Sequence, residues 1–234
     1  MSVSCGPDII DDSSLVLCLD ASNTESYPGF GTIWRDLTTR NLNTSISSGT
    51  TSDRLYGGRI YFQGTSGSVN IGNIATFPSW AQLGLSTSFT ISVWFSFTRY
   101  SPDFFDFLFS CESYLNRGFR SGIGSGTNKI TFFSGQSGGT LSLTTNYVVP
   151  LNTPFNYTIT FNTNTGTTYI NGAYDNQSTG TFVSPNASDA FYYNFVGGGN
   201  KSDTYVSSIQ VYNRALNSTE VLQNYNALRS RFGY

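Results

Sequence analysis

The chain has 234 residues, of which 38% are hydrophobic, 16% aromatic and 11% charged, the last well below the roughly 25% of an ordinary globular domain. Its formal net charge of −2 comes with no basic footprint, Arg229 and Arg231 being the nearest thing to a cluster, which excludes a general nucleic-acid binder. The absence of histidine excludes Ser-His-Asp and Cys-His catalysis in their usual form, and histidine-based metal binding with them.

Residues 1–14 read as a polar N-terminal arm and residues 15–234 as a single domain, because no linker, charge block or internal repeat divides them. Met1 to Asp12 show neither the basic nor the apolar region of a signal peptide. No apolar run approaches the roughly 20 residues of a membrane helix. Leu15-Val16-Leu17-Cys18-Leu19 is a short apolar run of the buried-strand type, and Pro28, Gly29 and Gly31 mark turns after it. Strands are expected at Arg59 to Phe62, Ser68 to Ile71 and Phe89 to Phe97. In the last, apolar odd positions alternate with mostly Ser and Thr, a period of two with one face buried. Phe107 to Cys111, Ser121 to Gly124, Lys129 to Phe133 and Thr140 to Leu143 follow at short intervals. Asn156 to Phe161 alternates again, turns through Asn162 to Gly166 and returns through Thr167 to Ile170, a hairpin signal. Asn171-Gly172 is a second turn, of residues that tolerate positive φ. Phe191 to Val196 and Val206 to Tyr212 complete the strands. One helix closes the chain, with Asn217 as its cap, Glu220 completing a capping box, and Val221, Leu222, Tyr225, Leu228 and Phe232 as its apolar stripe. The pattern predicts an all-β fold: a two-sheet antiparallel jelly-roll sandwich with one short C-terminal helix.

Chemistry-bearing residues are sparse. Cys5, Cys18 and Cys111 are odd in number and far apart, which is not a disulfide framework; Cys18 reads as a buried small hydrophobe. Asp103 and Asp106 are three apart and would face opposite ways on a strand, so they do not form the carboxylate pair of a glycoside hydrolase. No metal site is predicted; calcium stays possible if the fold gathers Asp20, Asp36, Asn200 and Asp203. Sugar rings stack on aromatic faces, and protein interfaces favour aromatics. Trp80, Tyr100, Phe104, Phe105 and Tyr114, in or near predicted loops, are therefore the candidate ligand-binding residues. The segment Arg99 to Phe105 is expected to be an exposed tip.

Leu17-Cys18-Leu19-Asp20-Ala21, Ser26-Tyr27-Pro28-Gly29 and Thr32-Ile33-Trp34-Arg35-Asp36-Leu37 resemble the opening of laminin-G-like jelly-roll domains. Ile209-Gln210-Val211-Tyr212-Asn213-Arg214-Ala215-Leu216-Asn217-Ser218-Thr219-Glu220-Val221 resembles their last strand and the turn into a helix. Phe89 to Trp94 and Thr168 to Gly172 are similar to their central strands. The resemblance implies a concanavalin-like sandwich of the kind found in phage and large-virus structural proteins, used for carbohydrate or protein attachment and sometimes holding calcium. Where family members often carry acidic residues before the closing strand, this chain has Ser207-Ser208. In the closing motif, Tyr212 should pack at the strand end, Arg214 should bond turn carbonyls through its planar fork, and Leu216 should fill the corner. The expectation is a non-enzymatic virion structural or decoration protein, made in a host cytoplasm, partnered by other virion proteins, by itself as a homo-oligomer, or by cell-surface glycans. The alternative is a stand-alone carbohydrate-binding module, and a glycoside hydrolase comes third.

Overall fold

The structure is a computed structural model, and it describes residues 8–48, 50–64, 75–100, 105–113, 117–124, 126–135, 141–193 and 202–234. These form the strands β1 (Leu15–Asp20), β2 (Ile33–Trp34), β3 (Thr44–Ile46), β4 (Thr51–Asp53), β5 (Arg59–Phe62), β6 (Ala75–Ser79), β7 (Ser88–Arg99), β8 (Phe105–Ser113), β9 (Arg117–Gly124), β10 (Ile130–Ser134), β11 (Leu141–Thr144), β12 (Phe155–Asn162), β13 (Thr165–Ile170), β14 (Ala173–Thr179), β15 (Ala190–Tyr193) and β16 (Asp203–Tyr212), followed by the helix α1 (Ser218–Arg229). Among the described residues the strands make two sheets, ordered β14-β13-β12-β7-β16-β5-β4, with β1 also on β16, and β11-β10-β9-β8-β15-β6-β3-β2. This is the antiparallel jelly-roll sandwich that the strand pattern predicts. The expected strand at Ser68 to Ile71 lies outside the described residues.

The two inner faces meet over one apolar core, as alternating strands of facing sheets must. Phe89 is its aromatic centre. Its ring lies 5.5 to 5.6 Å from those of Trp80, Phe119, Phe161 and Phe182. The alternation of β7 is real, but the even positions are not at the surface. Thr90, Ser92, Trp94 and Ser96 are buried with the odd ones, because the C-terminal segment covers the outer face of this sheet. There Ser92 accepts hydrogen bonds from Asn156 Nδ2 at 3.1 Å and Thr158 Oγ1 at 2.8 Å, so the buried hydroxyls are partnered.

The capping box at Asn217 and Glu220 forms as the sequence predicts. Val221, Tyr225 and Leu228 are buried at i, i+4 and i+7, whereas Leu222 is 44% exposed, about 100° round the helix from Val221. Phe232 lies past α1 in a 3-10 turn, Ser230–Phe232, and stacks on Trp94 with centroids 3.9 Å apart and planes 9° from parallel. The Asn171-Gly172 turn has φ of 50° and 75°. A Cβ at Gly172 would stand 2.9 Å from the Tyr225 side chain, so this glycine serves both the turn and the docking of α1.

Residues 8–14 are fastened to the domain. Ile10 N donates to Asn224 Oδ1 at 2.8 Å, Ile10 O accepts from the Tyr212 hydroxyl at 3.0 Å, and Gln223 Nε2 donates to Asp8 O at 2.8 Å. Arg214 does not bond turn carbonyls. Its fork meets both Glu220 oxygens at 2.8 Å and Asp12 at 3.0 Å, because the helix cap and the N-terminal segment converge on it. Tyr212 and Leu216 are buried as expected. Cys18 is buried but is also disulfide-bonded. An odd cysteine count excludes a fully paired framework, not a single bridge. Cys111 is buried, and its thiol donates to Asp189 O at 3.6 Å.

Gly172→Ala is expected to destabilise the fold by at least about 1 kcal/mol, read as a lower urea midpoint at unchanged m-value. The Ser14 hydroxyl, and after it Arg214, hold the Asp12 carboxyl below its ordinary 3.8 against the effect of burial. The bonds to Arg214 do the same for Glu220 against its ordinary 4.5. Both folded values lie below the unfolded ones, so this stabilisation is complete above the unfolded values and is lost as pH falls through the folded ones. The thermal midpoint should therefore fall as pH drops below about 4, and Arg214→Ala should reduce that dependence.

Candidate functional site

Of the aromatic candidates, Trp80 and Tyr100 have described side chains, and both are turned toward the core. Trp80 is 5% exposed, with its ring edge-on to Phe89 and Phe119 and stacked on Phe182 at 6.0 Å. The turn after β6 folds inward, its backbone bonded to Asp189 O and Ala187 O, and delivers the indole to the core. Tyr100 is half-buried. Its hydroxyl donates to Val149 O, and its ring lies 6.0 Å from that of Phe97. Phe105 opens β8, but its side chain, together with Phe104 and Tyr114, lies outside the described residues. Arg99, at the base of the expected tip, is held by Asp203 at 2.8 Å.

The acidic candidates are already engaged. Asp20 pairs with Arg231 through both oxygens at 2.8 and 2.9 Å. Asp36 accepts from the backbone of Cys18, Thr38 and Leu42 and from the Thr38 hydroxyl. Asp203 accepts from Gly64 N and Arg99. Asn200 lies outside the described residues. Among the described residues no group of three His, Cys, Asp or Glu side chains is placed to hold a metal.

A groove of about 550 Å³ lies elsewhere, at the end of the outer face of the first sheet where β12 turns into β13 beside the start of α1. This volume is within the roughly 300–1,000 Å³ of small-molecule sites. Its floor is the β12–β13 pair, with Thr160 opposite Thr167 and Asn162 opposite Thr165. Thr163 and Asn164 form one end; Ala215, Leu216 and Asn217 form the far wall. The turn is fixed by Thr163 at φ 59° and by its N–H donating to Thr87 O at 2.7 Å. Tyr169 is buried at the base, and the exposed Tyr174 stands edge-on to it with centroids 6.4 Å apart.

The polar groups of this groove are oriented by their own bonds. Asn162 Oδ1 accepts from Thr163, Asn164 Oδ1 from Thr165, and Asn217 Oδ1 from the N–H groups of Thr219 and Glu220. Each amide thus has its oxygen engaged and presents its NH₂ as a free pair of donors. Burial raises the Tyr169 hydroxyl above its ordinary value, a hydrogen bond with Thr160 working against it, so the phenol stays protonated. Among the described residues no charged side chain lines the groove. Such a lining can hold a hydroxyl-rich neutral molecule by many directional bonds, but it lacks the carboxylate pair that glycoside hydrolysis needs. In the sequence, Asn162 to Gly166 announces only a turn. The wall that makes it a groove is some fifty residues away, and only the fold brings it there.

The family described as concanavalin A-like lectin/glucanases superfamily, of the laminin-G type, matches residues 63–222. No curated protein sequence matches. Similar solved structures include the botulinum neurotoxin type G receptor-binding domain, at 16% identity and TM-score 0.66 over 92% of this chain and 51% of that one. The binding domain of botulinum neurotoxin DC in complex with SialylT is 17% identical, with TM-score 0.69 over 92% and 52%. Trypanosoma rangeli sialidase in complex with the inhibitor DANA is 17% identical, with TM-score 0.66 over 96% and 35%. The chain spans about half of those binding domains and a third of the sialidase, and at these identities the likeness shows the fold.

Trp80→Ala is expected to cost about 3–5 kcal/mol of stability, measured by urea unfolding, as a core residue does and an exposed ligand platform does not.

Proposed function

The chain belongs to the concanavalin A-like lectin/glucanase superfamily, and from that premise we propose that it is a carbohydrate-recognition module of the adhesion type, binding its ligand in the groove between the β12–β13 turn and the start of α1. The observation that carries this reading is the lining: three oriented amides, a row of threonine hydroxyls and a tyrosine base, with no charged side chain among them. Sugar hydroxyls both donate and accept, and such a surface answers them group for group. Tyr174, 61% exposed beside the groove, offers a ring for a pyranose face. Two of the similar structures are a receptor-binding domain and a binding domain in complex with SialylT, which supports binding rather than turnover. The disulfide at Cys18 suits a chain that works outside a reducing cytosol. The setting anticipated from the sequence, display on a virus particle, belongs to the same proposal, and stoichiometric copies in purified particles by peptide mass spectrometry would support it.

The test is a glycan array with the purified chain, followed by calorimetry on the best binder. Thr167→Trp, which fills the groove from a half-exposed strand position, should weaken binding at least about tenfold at an unchanged thermal midpoint. No binding to any glycan, or full binding by the Thr167→Trp chain, overturns the assignment.

A further inference from the structure

We infer that the groove is selective for neutral saccharides and discriminates against sialylated, uronic and sulfated ones; this deepens the carbohydrate-recognition reading and rests on it. An anion entering the groove would need a cationic or dipolar partner, and three places could supply one.

The first is a cation in the lining, and among the described residues there is none. The second is Arg214, one residue before the Ala215 wall. Its Nη1 donates to Glu220 at 2.8 Å, its Nη2 to Glu220 at 2.8 Å and to Asp12 at 3.0 Å, and its Nε to Ser14 at 3.0 Å. Four of the five guanidinium N–H groups are engaged in these bonds. Two carboxylates against one guanidinium leave this cluster with one net negative charge.

The third place is the N-terminus of α1, whose free N–H groups and dipole would ordinarily attract an anion. Here the chain supplies its own. Asn217 Oδ1 takes the N–H groups of Thr219 and Glu220 at 3.0 Å, and the Glu220 carboxylate accepts from Asn217 N at 2.9 Å. The capping box thus fills the anion site and places a carboxylate beside the wall of the groove. An acidic sugar entering it would leave water without a compensating cation and would meet Glu220 at close range. A neutral sugar loses nothing by the same arrangement, because the amide NH₂ groups of Asn162, Asn164 and Asn217 remain free to donate to its hydroxyls.

The experiment uses the purified chain and a glycan panel in which neutral glucosides, galactosides and mannosides stand beside their sialylated, uronic and sulfated counterparts, with affinities measured at 50 mM and 150 mM salt. The expected result is preference for the neutral member of each bound pair, abolished by Thr167→Trp. A second variant, Asn162→Lys, places a cation in the groove floor at the exposed end of β12. It should raise affinity for the acidic member by about tenfold, one charge-assisted bond's worth, and more at low salt. If acidic members bind as well as neutral ones, and Thr167→Trp removes that binding, the selectivity is wrong while the recognition function stands. If binding survives Thr167→Trp, or no glycan binds at all, the recognition reading fails and the selectivity fails with it.

Discussion

Everything in this molecule leans on β7 being buried on both faces. A strand in a sandwich usually has one face in the core and one in water. Here the odd face enters the aromatic cluster around Phe89, and the even face lies under the C-terminal segment, where Trp94 is stacked against Phe232 and Tyr225. Such a strand must be apolar on one side and must satisfy its polar groups locally on the other. Ser92, Asn156 and Thr158 do so by bonding one another across β7 and β12. The register of β12 on β7 is therefore fixed twice, by packing on one face and by hydrogen bonds on the other. A slip by one residue would exchange the faces and lose both.

That double constraint makes the groove a rigid feature rather than a loop conformation. Its floor is the far end of β12 and β13, and its wall is the turn into α1. Thr90 ties the two together: its hydroxyl donates to Arg214 O at 2.9 Å and accepts from Leu216 N at 2.9 Å. At the outer edge, β14 is polar and exposed. It is fastened to β11 and the loop beyond by Asp175, which accepts from Asn146 N and Tyr147 N, and by Asn176 Nδ2 donating to Thr144 O. Side chains that cross the sheet edge in this way shield it from pairing with another chain. A binding surface built on strands held at both faces is preorganised.

The parts of the fold that were readable in the sequence are those decided by neighbours in the chain. The alternation of β7 and β12, the Asn171-Gly172 turn and the Asn217–Glu220 cap are local devices, and each forms. What could not be read depends on long-range coverage. The Ser and Thr face of β7 looks solvated until a helix more than a hundred residues later lies on it. Trp80 sits among Ser, Ala and Gln and reads as loop, yet its turn folds inward. The short strands β2, β3 and β4 and the polar β14 carry too little periodicity to be seen. The groove escaped for the same reason as Trp80: its lining is ordinary turn chemistry, and its meaning lies in the wall that the fold places opposite. The aromatic content pointed to binding, but most of those rings build the core.

The low charge of the chain takes on a sense in this light. Three of its described acid–base pairs join segments distant in sequence: Asp20 to Arg231, Arg99 to Asp203, Asp12 to Arg214. These tie the first strand, the N-terminal segment and the end of β7 to the C-terminal third, where a misplaced partner would strand a partly buried charge at considerable cost. Asp36 and Asp175 spend their oxygens on backbone N–H groups. Charge in this protein specifies architecture. What remains for the outer face of the sheet is amide, hydroxyl and phenol, groups that bind by direction rather than by field and that keep their strength as salt is raised. A surface of that kind discriminates among ligands by the placement of their hydroxyls, and the chain's own carboxylate at the start of α1 removes the one feature that would have admitted an anion.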